Sequence, residues 1–168
     1  TQNGHPTKAH RPAVDAFKTD RADGAIPVTV ENTEACPRYC GVTIRGVKVQ
    51  ESPKWLRDCL SAAGQRPINN IVDITNYILL GTGQPLHCFD LNHIDGGKVV
   101  VKTVEAGTKF VTLDGVERTL TDRDLMICNA SEPMCIAGVF GGLKSGVTEQ
   151  TTDVFIESAY FHPTWIRK

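Results

Sequence analysis

Lys98-Val99-Val100-Val101-Lys102-Thr103-Val104 divides the chain into two regions of different periodicity. β-Branched residues fill most of this run, and such side chains suit the pleated surface of a strand. Strand signals recur after it, at Leu125 to Cys128, Cys135 to Phe140 and Asp153 to Ser158. Between them, Thr112-Leu113-Asp114-Gly115-Val116-Glu117 carries Asp-Gly, the strongest short hairpin signal. Before the dividing run the dominant signal is helical. Helices early and strands late predict an α+β fold: a mixed or antiparallel sheet core with flanking helices.

The helical region contains two candidates. Ser52-Pro53 reads as an N-cap followed by proline at the first helical position. Trp55, Leu56, Cys59, Leu60 and Ala63 follow at helical spacing, with Gly64 at the expected C-cap. The second candidate runs from Ile68 to Leu80 and stops at Gly81, with Ile68, Ile71, Val72, Thr75, Ile78 and Leu79 on one face. Thr75 and Asn76 fall near the edge of that face, where packing alone explains small polar side chains poorly. Upstream, strands are expected at Ile26 to Val30 and Tyr39 to Val49. Residues 1–24 are polar and irregular and read as a linker or tail, with a short helical turn around Val14 to Phe17; residues 25–168 form the domain.

The 168 residues are 40% hydrophobic and 22% charged, which excludes wholesale disorder, a collagen and a coiled coil. No apolar stretch is long enough to cross a membrane, and no signal peptide is visible. Eighteen basic against nineteen acidic side chains leave a net charge of −1. A free-standing nucleic-acid binder carries a positive excess, so any meeting with RNA is expected within a larger assembly. Cys36, Cys40, Cys59, Cys88, Cys128 and Cys135 form no C-x-x-C pair, so no metal site is expected. They read as reduced thiols packed as small hydrophobes, which points to the cytoplasm.

The polar groups are individually ambiguous. His87 lies in Gly83-Gln84-Pro85-Leu86-His87-Cys88-Phe89-Asp90, where a lone histidine commonly serves as a hydrogen-bonded packing residue. A thiol–imidazole dyad with Cys88 is disfavoured, since neighbouring side chains on a strand point to opposite faces. The run Ala137-Gly138-Val139-Phe140-Gly141-Gly142 is neither a Walker A loop nor a dinucleotide fingerprint. It is a tight turn, or a place where a ligand approaches the backbone closely. Glu157 shares a face with Phe155 and Ala159, opposite Val154, Ile156 and Ser158. It is either solvated or, if both faces are covered, in need of a partner.

Together these segments resemble the editing domain of bacterial phenylalanyl-tRNA synthetase beta chains. The resemblance is carried by Asp73-Ile74-Thr75-Asn76-Tyr77, the run from Gly83 to Asp90, Thr112-Leu113-Asp114-Gly115 and Ala137 to Gly142. Cys36-Pro37-Arg38-Tyr39 and Glu157-Ser158-Ala159-Tyr160-Phe161 fit the same order, and the likeness covers about Ala35 to Arg167. Leu86, Cys88 and Phe140 depart from the residues commonest in the family, which bears on pocket shape.

The resemblance implies hydrolysis of tyrosine wrongly esterified to phenylalanine tRNA. Glu157 falls on the acid that reads the tyrosine hydroxyl. His87, Thr75 and Asn76 fall on positions that hold the ester and the attacking water, and Pro85, Ala137 and Gly138 on the pocket wall. It further implies that the fragment itself needs no cofactor, that ATP and magnesium serve the complete synthetase, and that the partners are the tRNA acceptor end and the alpha chain of a heterotetramer. Two other readings remain open: a non-catalytic scaffold or tRNA-binding module of the beta chain, and a stand-alone trans-acting deacylase. The polar start and the ending at Arg167-Lys168 suggest an excised fragment over the last of these.

Overall fold

A computed structural model describes residues 12–21 and 23–167. Among the described residues, ten strands and three α-helices follow in chain order. β1 (Val28–Val30) and β2 (Arg38–Arg45) precede α1 (Lys54–Ala62) and α2 (Asn70–Thr82). Then come β3 (His87–Asp90), β4 (Val99–Thr103), β5 (Lys109–Val111), β6 (Glu117–Thr119), β7 (Leu125–Cys128), β8 (Pro133–Ile136), β9 (Phe140–Gly141), β10 (Asp153–Tyr160) and α3 (Pro163–Ile166). A five-stranded sheet has the order β1-β4-β7-β8-β9, a three-stranded sheet β2-β10-β3, and β5-β6 form a hairpin. Among the described residues, only the β1–β4 pairing is parallel. The fold is therefore α+β with a mixed sheet core.

The main core lies between the two larger sheets. Phe89 and Phe155 from the three-stranded sheet meet Val99, Val101, Leu125, Ile127 and Cys135 from the five-stranded one. Each fully buried large side chain here contributes roughly 1.5–3 kcal/mol. On β7 the alternate residues Met126 and Cys128 point the other way, into a second cluster with Phe110 and Leu120 beneath the β5–β6 hairpin. All four β7 residues are buried, because both faces of that strand are covered. α2 packs against β3 and against α1.

Several element ends differ from the sequence expectation for identifiable reasons. The strand expected over Cys135 to Phe140 splits into β8 and β9, because Gly138 adopts φ +68 and a turn closes from Val139 N–H to Ile136 C=O at 3.0 Å. β2 ends at Arg45, where Gly46 at φ +70 turns the chain. Pro53 takes the N-cap position of α1, since the Ser52 hydroxyl instead donates to Asp73 Oδ2 at 2.5 Å. Fully buried Asp73 also accepts from Ile68 N–H at 2.8 Å, which ties the α1 entrance to α2.

α2 starts later than expected, with Asn69 Oδ1 accepting from the Ile71 and Val72 amides; Ile68 lies outside the helix and is exposed. It passes through Gly81 and stops at Gly83, whose φ of +76 provides the left-handed cap. Within the expected tail, a turn does form from Val14 to Phe17 on exposed residues, while residues 1–11 and 22 lie outside the described set.

Candidate functional site

Glu157 sits near the middle of β10, on the face turned toward the inter-sheet core. Register on both sides fixes its neighbours: Gly41 on β2 and His87 on β3. Side chains directly opposite on antiparallel strands have Cβ atoms about 4.5–5.5 Å apart, so His87 and Glu157 share one patch of the sheet. Glu157 is only 6% exposed. Burial pushes its carboxyl up to about 7, and the hydrogen bond from Tyr39 opposes that rise. Tyr39 Oη donates to Glu157 Oε2 at 2.7 Å. The same burial, followed by the nearby carboxylate, holds the Tyr39 phenol protonated far beyond its ordinary range.

His87 is half-buried, and its ring meets Phe89 edge-on with centroids 4.5 Å apart. Burial lowers its pKa, so the imidazole is neutral near pH 7 and can offer one donor and one acceptor. Cys88 points to the opposite face, opposite Ile156 in register, and burial raises its thiol to about 12. No thiol–imidazole dyad forms. Cys36 and Cys135, which sense the Glu157 charge, are likewise raised chiefly by burial, Cys36 to about 11. They are protonated walls of the acid's surroundings. All six cysteines are free.

The rim comes from the glycine-rich run and the Asp-Gly hairpin. A Cβ on Gly141 would stand 3.0 Å from His87 Cε1 and 2.8 Å from Leu113 Cδ1, so the β9 backbone lies close against the imidazole. Ala137 is buried, and Gly138 turns beneath Phe161. Pro85 lies just ahead of β3, where the Gln84 amide donates to the Pro85 and Ala159 carbonyls at 3.0 and 3.3 Å. Among the described residues, no group of three His, Cys, Asp or Glu side chains could hold a metal ion, and no helix is long and apolar enough to cross a membrane.

A family model described as the B3/4 domain matches residues 35–168. The chain belongs to the B3/4 domain family. This B3/4 domain is 67% identical over 167 residues to a phenylalanine–tRNA ligase beta subunit of Bacteroides fragilis, covering 99% of the chain and 20% of the relative. It is 60% identical over 168 residues to the corresponding subunit of Porphyromonas gingivalis, again covering 99% and 20%. The chain thus spans about one fifth of the length of these relatives. A solved N-terminal fragment of the phenylalanyl-tRNA synthetase beta subunit from Pyrococcus horikoshii shares its fold. That match has a TM-score of 0.58 at 18% identity, over 83% of this chain and 45% of the fragment.

Within the B3/4 domain, the fold brings His87 and Glu157 together across one strand pair, with Ala137 and Gly138 on the adjoining β8–β9 turn. Thr75 and Asn76 lie on α2, which packs against β3. The Thr75 hydroxyl is turned back onto Val72 C=O at 2.7 Å, and no hydrogen bond joins either residue to His87 or Glu157 among the described residues. Thr75 is buried within the helix face, not at its edge. Two participants escape a sequence reading: Tyr39, the internal donor to Glu157, and Gly141, the backbone against His87. Strand alternation would have placed Tyr39 and Gly41 on one face, but nothing local in the sequence discloses the cross-strand partner.

Proposed function

We propose that this B3/4 domain is the proofreading part of a phenylalanine–tRNA ligase beta subunit, and that it hydrolyses tyrosine mistakenly esterified to phenylalanine tRNA. The observation that carries the reading is the buried Glu157 carboxyl, level with His87 across the β10–β3 pair. An apolar pocket rejects an analogue that merely adds a hydroxyl by only ~100-fold, which is the difficulty facing a site that charges phenylalanine. A second site that needs the hydroxyl inverts the preference. Glu157 accepts a hydrogen bond from the phenol of tyrosine, whereas phenylalanine leaves the desolvated acceptor unpaired, and such sites reject by roughly 10⁴-fold or more.

An aminoacyl ester is already activated, so holding a water and the ester in line is sufficient chemistry. Neutral His87 positions that water; Pro85, Ala137 and Gly138 leave room for the aromatic ring, and Thr75 with Asn76 contacts the ribose end. The charging reaction, with its ATP and magnesium, belongs to the complete cytoplasmic enzyme with its alpha chain. The test is deacylation of tyrosyl-tRNA by that enzyme carrying Glu157→Ala. Tyrosine clearance should fall steeply; clearance at the wild-type rate would falsify the role of Glu157.

A second reading is favoured by one observation, the bond from Tyr39 to Glu157. It gives the acid a purely structural partner, as a scaffold domain would. Under that reading Glu157→Gln, which keeps an acceptor for Tyr39, retains wild-type clearance; under the editing reading clearance drops because the charged acceptor is gone.

A further inference from the structure

When tyrosine enters this site, two phenols meet one carboxylate. Tyr39 already donates to Oε2 at 2.7 Å, and it reaches that oxygen diagonally, since its own register partner on β10 is Ala159. Directly opposite Glu157, β2 presents Gly41 and hence no side chain. Glu157 Oε1 receives no hydrogen bond from any described residue. The fully sealed, unpartnered side-chain polar atoms among the described residues are Thr43 Oγ1 and Arg57 Nε, so Oε1 keeps an opening to a ligand or water. One carboxylate oxygen is therefore taken and the other is on offer.

We propose that Tyr39 is a specificity-determining positioning residue: its phenol pins Oε2 and turns Glu157 so that Oε1 faces the substrate hydroxyl. This rests on the editing reading above. Hydrogen bonds to an ionised carboxylate are shorter and about twice as strong as neutral ones, so a fixed internal donor orients the acid before substrate arrives. It also favours the ionised acid against the rise that burial imposes. The groups facing Glu157 are Tyr39 on β2, His87 on β3, Cys135 on β8 and Cys36 ahead of β2. Burial leaves His87 neutral and both thiols protonated, and Tyr39 is the one group that favours the charged acid. Without its hydroxyl the acid holds its proton to higher pH and presents a rotatable, neutral acceptor.

Tyr39→Phe in the complete synthetase tests this while keeping the ring that packs against the core. The ratio of tyrosyl-tRNA to phenylalanyl-tRNA hydrolysis should fall roughly ten- to a hundredfold, the worth of a hydrogen bond to a charged group. The phenylalanyl rate should stay at its wild-type value, and the pH midpoint of tyrosine clearance should move upward. In a Glu157→Gln background, Tyr39→Phe should change the ratio no further. Equal slowing of both esters would reveal a structural role and overturn the inference, as would an unchanged ratio and midpoint. If Glu157→Ala abolishes the tyrosine preference while Tyr39→Phe preserves it, editing stands and the role of Tyr39 falls. If the wild-type enzyme shows no tyrosine preference, the editing reading fails, and this inference with it.

Discussion

Glu157 occupies a position where a charge is expensive, and that expense is measurable. Its carboxyl is raised from the ordinary value of 4.5 to about 7, chiefly by burial. The folded chain therefore binds this proton more tightly than the unfolded chain. The corresponding stability is fully present below about pH 4.5 and is lost as pH rises through about 7. One pKa unit corresponds to about 1.4 kcal/mol, so the window carries on the order of 3 kcal/mol. Glu157→Gln removes the titration. Denaturant melts of the two proteins between pH 4.5 and 8 should converge at low pH and separate in favour of the variant as pH rises. Parallel stability curves would show that the acid is not desolvated in the folded protein. His87, whose pKa lies below its usual value, is expected to be neutral through the upper part of this range and to add little there.

At the level of elements, the β2-β10-β3 sheet builds the site, and its tightest point is Gly41. A Cβ there would collide with the ring of Phe155, which is fully buried. Gly41→Ala should thus destabilise the chain by about 1–3 kcal/mol through overpacking, read as a lower denaturation midpoint with an unchanged slope. A midpoint within error of wild type would mean that the ring has somewhere else to go. The same sheet shows what a sequence can disclose. Alternation places Glu157 with Phe155 and Ala159, and that face is the observed one. The Asp-Gly hairpin and the Gly64 position after α1, at φ +80, also follow from local chemistry. The Tyr39–Glu157 bond joins residues 118 positions apart, and register between distant strands has no local signature. Helix ends slipped for a related reason: buried Asp73 draws the Ser52 hydroxyl away from the capping role that its neighbours suggest.

On the scale of the whole molecule, charge and length set the terms. A net charge of −1 offers few uncompensated cations for a phosphate backbone, and neutralised phosphates supply most of the affinity for nucleic acid. The chain alone, about one fifth the length of its relatives, should bind tRNA weakly at physiological salt. A titration against salt checks this: tight salt-resistant binding by the chain alone would make it a self-sufficient tRNA module. The central claim concerns a single oxygen atom, and a crystal structure of the complete enzyme soaked with tyrosine addresses it most directly. The phenol oxygen should lie about 2.5–2.7 Å from Glu157 Oε1, with Tyr39 still on Oε2 and no phenylalanine bound in a parallel soak. Tyrosine settling elsewhere, or phenylalanine occupying the same place equally well, would contradict the account.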